Sequence, residues 1–158
     1  VNEFHDLIER FDHVGMGVPD IASTLPFVEL LGGRFIQGGD NLRNRFRWVQ
    51  FRLPGGGKLE LLQPLEGNDF LTRFLERRGS GVHHLTFKVR DLKAVTQRAE
   101  QLGLTTTGYH ESREWSEVFL HPATAHGVVV QFAMWEQEDA WRGPSLEEVL
   151  AGRSLDHS

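Results

Sequence analysis

No cysteine occurs among the 158 residues. Disulfides, thiolate zinc sites and a cysteine nucleophile are thereby excluded, and any metal must be held by nitrogen and oxygen donors. Basic residues are also in the minority: 17 Lys and Arg against 22 Asp and Glu leave a net charge of −5. Such a chain lacks the basic surface that grips nucleic acid by releasing counterions. No apolar run approaches the roughly 20 residues that span a bilayer. The opening VNEFHDLIERFDHV has neither the basic nor the apolar stretch of a signal peptide. The expectation is a soluble, cytoplasmic protein that takes a small molecule and has no nucleic-acid or membrane partner. Histidine is plentiful at eight residues, and 39% hydrophobic with 25% charged suits an ordinary buried core.

The sequence repeats itself at an offset of 71 residues. FDHVGMGVPDI (11–21) then lies over VHHLTFKVRDL (82–92), with His13 on His84, Val18 on Val89 and Asp20 on Asp91. Leu31-Gly32 falls on Leu102-Gly103, and KLELL (58–62) falls on VVVQF (129–133), which sets Glu60 on Gln131. His13 to Glu60 and His84 to Gln131 are both separations of 47 residues. Several registers held at one offset indicate a duplicated unit.

Each half reads as βαβββ. Segments 11–18 and 82–89 alternate and carry β-formers, and each runs into an Asp able to cap the following helix. The second helix has Leu92, Val95, Ala99 and Leu102 at helical spacing; the first contains Pro26, tolerable in an opening turn, and both stop at glycine. Segments 34–38, 45–53 and 58–64 give three strands to the first half, and 105–108, 117–121 and 128–135 give three to the second. The expected fold class is α+β, with paired βαβββ modules forming a cup-like curved mixed sheet around a metal site and a short C-terminal helical extension. The expected divisions are a first module at 11–64, a connector with a short helix at 65–81, a second module at 82–135 and the extension at 136–158. Ser145-Leu-Glu-Glu148 is a capping-box signature for a helix in that extension, with a solvated, frayed tail as the alternative.

Strand parity sorts side chains between faces. Val14, Met16 and Val18, and likewise Leu85, Phe87 and Val89, belong against helices, and His83 goes with them. His13 and His84 take the other face, with Glu60 and Gln131 on the corresponding side of their strands. Gly15, Gly17, Thr86 and Ala133 on that face are small and leave space, and Trp135 lines it. Two imidazoles, a carboxylate and an amide oxygen are costly to bury unpaired but suit a first-row divalent ion. Each taken alone reads as an ordinary hydrogen-bonded residue; the repeat makes His13, Glu60, His84 and Gln131 a candidate ligand set.

The stretches DHVGMGVPDI, LELLQPL, FLERRGSGVHHLTFKVRDL and VFLHPATAHGVVVQF resemble the vicinal-oxygen-chelate superfamily, which embraces glyoxalases, bleomycin-resistance proteins and dioxygenases. Within it the likeness is to the methylmalonyl-CoA epimerases, over about residues 10–134. The resemblance implies paired βαβββ modules, one divalent metal and a substrate that chelates it through neighbouring oxygens. The ligand positions carry over to His13, Glu60, His84 and Gln131. Those epimerases have Glu where this chain has Gln131, and their separate catalytic Glu has no counterpart: Asp40 and Asn41 stand near its place. Small proteins of this family often pair, so a homodimer is expected.

With one carboxylate ligand a divalent ion keeps net positive charge, which suits removal of a proton alpha to a carbonyl. Asp40, Glu111 and His121 are candidates for moving the proton, each with an ordinary surface or structural role as the alternative. Arg43, Arg45 and Arg47 could meet a CoA phosphate or a carboxylate, or form a solvated edge strand. The expected cofactor is one of Mn, Co, Ni, Fe or Zn. An epimerase-like reaction on a thioester or similar substrate is the first reading. A glyoxalase-type lyase or isomerase, a non-haem iron dioxygenase and a non-enzymatic bleomycin-type binder are the others.

Overall fold

The computed structural model describes residues 6–136 and 142–153. Strand β1 (Ile8–Gly17) leads through a 3-10 turn (Ala22–Thr24) into helix α1 (Leu25–Leu30), then β2 (Arg34–Asn41), β3 (Phe46–Arg52) and β4 (Lys58–Pro64). After α2 (Phe70–Arg78) the same order returns in β5 (Gly81–Val89), α3 (Leu92–Gln101), β6 (Thr106–His110), β7 (Ser116–Leu120) and β8 (Val129–Met134). Helix α4 (Leu146–Leu150) follows. The βαβββ order expected from the repeat is therefore present twice. Among the described residues no helix is long and apolar enough to cross a membrane.

The strand order is β2-β3-β4-β1-β5-β8-β7-β6. The cup-like curvature expected from the sequence is not found: β2 and β6 are the two end strands, and the sheet is neither closed nor strongly curled. Parity fixes the face a side chain occupies but carries no information on curvature, which depends on twist and bulges.

The described residues divide into two compact units, 14–83 with 142–153 and 6–13 with 84–136. In the unit containing β2–β4, β3 pairs antiparallel with both neighbours, and Gln50 stands opposite Gln37 on one side and Glu60 on the other. Val18, Ile21, Val28, Val49, Phe51, Leu59, Leu61 and Val149 form its core. Val149 belongs to α4, whose capping box is complete: Ser145 Oγ accepts from the Glu148 backbone N–H at 3.2 Å and Glu148 Oε2 accepts from the Ser145 N–H at 2.8 Å. Pro26 lies in the first turn of α1, where a missing N–H costs nothing. Helix α2 is capped by Asn68, whose Oδ1 accepts from Leu71 and Thr72 N–H groups at 2.9 and 3.2 Å. Gly17 leaves no open space at this end of β1: a Cβ there would meet Leu71 Cδ1 at 2.9 Å and Phe74 Cδ1 at 3.0 Å, so the missing side chain admits α2.

In the unit containing β6–β8, β5 pairs with β8 in parallel, and β7 pairs antiparallel with β8 and β6. Val89, Leu92, Val95 and Val118 form its core, with Leu7, Ile8, Phe132 and Met134 packed against it. Asp91 Oδ1 caps α3 through the Ala94 N–H at 3.0 Å.

Candidate metal centre

His13 ends one segment of the β6–β8 unit and His84 begins the next. Both are buried, at 2% and 7% exposure. The Asp12 carboxylate accepts the Nδ1 proton of His13 at 2.8 Å. Arg10 in turn grips Asp12 Oδ1 through Nε at 3.1 Å and Nη2 at 2.9 Å. A neutral ring that gives its Nδ1 proton to a carboxylate has its lone pair on Nε2, the state a metal requires. That Nε2 lies 3.4 Å from Nε2 of His84. Two nitrogens at about 2.1 Å from one ion stand this far apart when they subtend a near-tetrahedral angle. One ligand atom from each of His13, Glu60 and His84 lies within 4.8 Å of the others. Two imidazoles and a carboxylate with converging atoms form a donor set that fits a first-row divalent ion, and they make a candidate metal-binding triad.

Glu60 is oriented by an amide chain that crosses three strands. Gln37 Nε2 donates to Gln50 Oε1 at 2.8 Å, and Gln50 Nε2 donates to Glu60 Oε2 at 2.7 Å. Gln131, on β8, is buried and pairs in register with Thr86 of β5. Its Oε1 accepts from Thr86 Oγ1 at 2.6 Å, and its Nε2 donates to Glu117 Oε2 at 2.6 Å. Glu117 also accepts from Trp115 Nε1 at 2.7 Å. Trp115 stacks on Trp135 with centroids 5.1 Å apart and planes at 17°. Lys88 Nζ sits 4.9 Å from the Trp135 ring centre and 3.1 Å from Glu9 Oε2, and the Arg10 guanidinium carbon is 5.8 Å from the same ring.

The remaining residues singled out in the sequence occupy varied positions. Asp40 is held by Arg47 through both oxygens, from Nε at 2.7 Å and Nη2 at 3.0 Å, with each side chain 12% exposed. Arg47 Nη1 also donates to the Leu150 carbonyl at 3.1 Å, tying β3 to the end of α4. Since β3 lies between β2 and β4, Arg47 is on an inner strand. Arg43 and Arg45 are exposed in the turn between β2 and β3, where Arg45 has φ of 57°. Glu111 is exposed beside Tyr109; desolvation and then the charge and hydrogen bond of Glu111 push that phenol above its ordinary pKa. His121 is exposed at the turn after β7, its Nδ1 accepting from the Ala123 N–H at 3.1 Å. His83 packs against Phe70 and Phe74 of α2, with ring centres 5.7 and 5.0 Å away, in the helix layer where strand parity puts it.

Residues 12–119 match the Glyoxalase/Bleomycin resistance protein/Dioxygenase superfamily. The chain belongs to this superfamily. Among its relatives is the ethylmalonyl-CoA/methylmalonyl-CoA epimerase of Cereibacter sphaeroides, 29% identical over 131 residues, covering 79% of this chain and 97% of that protein. The crystal structure of methylmalonyl-CoA epimerase from Mycobacterium tuberculosis aligns with a TM-score of 0.74 at 25% identity, over 84% of this chain and 92% of that one. A methylmalonyl-CoA epimerase in complex with methylmalonyl-CoA and ammonium aligns with a TM-score of 0.70 at 25% identity, over 82% and 95% of the two chains. As a superfamily member this chain carries a metal-type donor set consistent with an epimerase acting next to a carbonyl or thioester.

Three participants are not apparent from the sequence: Asp12, Gln50 and Glu117. Asp12 is adjacent to His13, and parity assigns it to the opposite face. Gln50 and Glu117 lie on strands next to those of Glu60 and Gln131, so their contacts are recognisable only once the strand register is known.

Proposed function

We propose that this chain is a metal-dependent epimerase that removes the proton alpha to the carbonyl of a branched acyl-CoA thioester and returns one to the opposite face. The observation that carries this reading is the pair of buried imidazoles whose Nε2 atoms face each other at 3.4 Å, one of them held in a fixed tautomer by Asp12. The proposed ligands are His13, Glu60, His84 and the amide oxygen of Gln131. A divalent ion of the Mn, Co, Ni, Fe or Zn type, when bound, would supply net positive charge for a thioester oxygen whose charge grows as the alpha proton leaves. The protein's part is to point the His13 and His84 Nε2 atoms at one place, to orient Glu60 through Gln50 and to move the proton. For that last task the proposed residue is a side chain outside the ligand set, Asp40 ahead of Glu111 and His121. Arg43 and Arg45, exposed in one turn, are proposed to meet the CoA phosphates, with Arg47 and Trp135 as further substrate contacts. A homodimer is proposed as well: Phe27, Leu30 and Leu31 expose apolar surface on and just after α1, and sedimentation showing only monomer at micromolar concentration would reject it.

The second reading, a glyoxalase-type isomerase, is favoured by the same two imidazoles and one carboxylate. The variant Gln131→Glu separates the two. An epimerase whose base lies outside the ligand set should bind metal more tightly and turn over more slowly, because a second carboxylate lowers the site's positive charge. An isomerase that uses a ligating carboxylate as its base should turn over faster, and that result would reject the epimerase reading.

A further inference from the structure

We propose that Glu117 is a positioning residue that makes Gln131 an oxygen donor and lends that oxygen part of a carboxylate's charge; the inference rests on Gln131 being a metal ligand. A glutamine presents an oxygen and a nitrogen of nearly equal shape, and only the oxygen has a lone pair to give. Which one is turned toward a metal depends on the neighbours. Here Nε2 donates to Glu117 at 2.6 Å, and a carboxylate only accepts, so the nitrogen is held toward β7. The oxygen is thereby directed to β5, where Thr86 Oγ1 donates to one of its two lone pairs at 2.6 Å. Thr86 lies two residues from His84 on the same strand, so alternation puts both on one face. Glu117 is itself fixed by the Trp115 indole N–H at 2.7 Å, and Trp115 is stacked on Trp135. Thr86 is 0% and Gln131 9% exposed, so water has little access to rescue a reversed amide.

The hydrogen bond also acts electronically. An amide N–H given to a carboxylate polarises the amide toward its charge-separated form and raises electron density on the oxygen. Gln131 backed by Glu117 therefore resembles a carboxylate ligand more closely than an unsupported glutamine does. The other half has the reverse pairing, with the Glu60 carboxylate backed by the Gln50 amide at 2.7 Å. In both halves the last strand and its neighbour contribute one carboxylate and one amide, and only the order differs.

The test is calorimetric titration of the metal-free protein with Co2+ and Zn2+. It compares wild type, Gln131→Ala, Glu117→Gln and the exchanged double variant Glu117→Gln/Gln131→Glu, with thermal unfolding of each metal-free protein alongside. Glu117→Gln preserves shape but allows the amide to turn over; its affinity should fall by at least about tenfold, as for loss of other groups that orient ligands. The exchanged variant should recover affinity to within about threefold of wild type or better, because the carboxylate then ligates directly with an amide behind it. Wild-type affinity in Glu117→Gln alongside weakened binding in Gln131→Ala would overturn the inference and leave the ligand reading standing. Failure of the exchanged variant to recover would assign Glu117 a merely structural role and also overturn it. If Glu117→Gln does not fold, the exchanged variant decides alone. Wild-type affinity in Gln131→Ala would remove Gln131 from the ligand set, and the inference with it.

Discussion

Asp12 accepts the Nδ1 proton of His13 at 2.8 Å, and both side chains are almost wholly buried. The contact decides which nitrogen of His13 is available to a metal. In Asp12→Asn the amide can donate to Nδ1, which favours the tautomer with its proton on Nε2, and that ring cannot ligate. Metal affinity should drop by about 10- to 100-fold. Calorimetry with the metal-free variant checks this, and wild-type affinity would show that Asp12 only packs against the ring.

Adjacent histidines on β5 should behave oppositely. His84→Ala and His13→Ala should each abolish stoichiometric metal binding. His83→Ala should leave it intact while lowering stability by about 1 kcal/mol, the loss expected for its aromatic contacts with Phe70 and Phe74. Metal analysis after dialysis, together with denaturant unfolding, separates the two effects.

Much of this arrangement is legible in the amino-acid sequence. The 71-residue repeat locates both histidines and Glu60 of the candidate triad, and alternation separates His84 from His83, because a strand's period of two leaves only two choices of face. The Ser145–Glu148 capping box and the Pro26 opening turn are readable for the same reason: each is a local rule with a short span. Curvature is not legible, since it accumulates over eight strands. Small residues on the ligand face suggest open space, but at Gly17 the space belongs to Leu71 and Phe74 of α2, 54 and 57 residues along the chain. The Glu117–Gln131 contact depends on the β7–β8 register, which a hairpin with a long connecting turn does not reveal in sequence.

Gly17→Ala tests that close approach. Its new methyl would come within 2.9 Å of Leu71 Cδ1, and Leu71 is fully buried, so it has little room to yield. A loss of about 1–3 kcal/mol in unfolding free energy is expected from overpacking. Unchanged stability would mean that α2 shifts freely against β1.

The Asp40–Arg47 pair carries two expectations with separate readouts. Arg47 binds both Asp40 oxygens and the Leu150 carbonyl, so Asp40→Asn should destabilise the fold by about 3 kcal/mol in denaturant unfolding, the scale for breaking a largely buried pair. If Asp40 also moves the alpha proton, exchange by the folded variant should fall at least about 100-fold with metal affinity unchanged. A destabilised variant with wild-type exchange per folded molecule would confine Asp40 to the structural role.

The most direct measurement is the uptake of deuterium at the alpha carbon of methylmalonyl-CoA and ethylmalonyl-CoA in deuterated water, followed by mass spectrometry. Metal-loaded protein should incorporate one deuterium per thioester molecule well above the uncatalysed rate. Protein stripped by a chelator, and metal-treated His84→Ala, should remain at that background. Loaded wild-type protein that carries one metal ion per chain yet leaves the alpha proton of both thioesters at background would contradict the epimerase function proposed here.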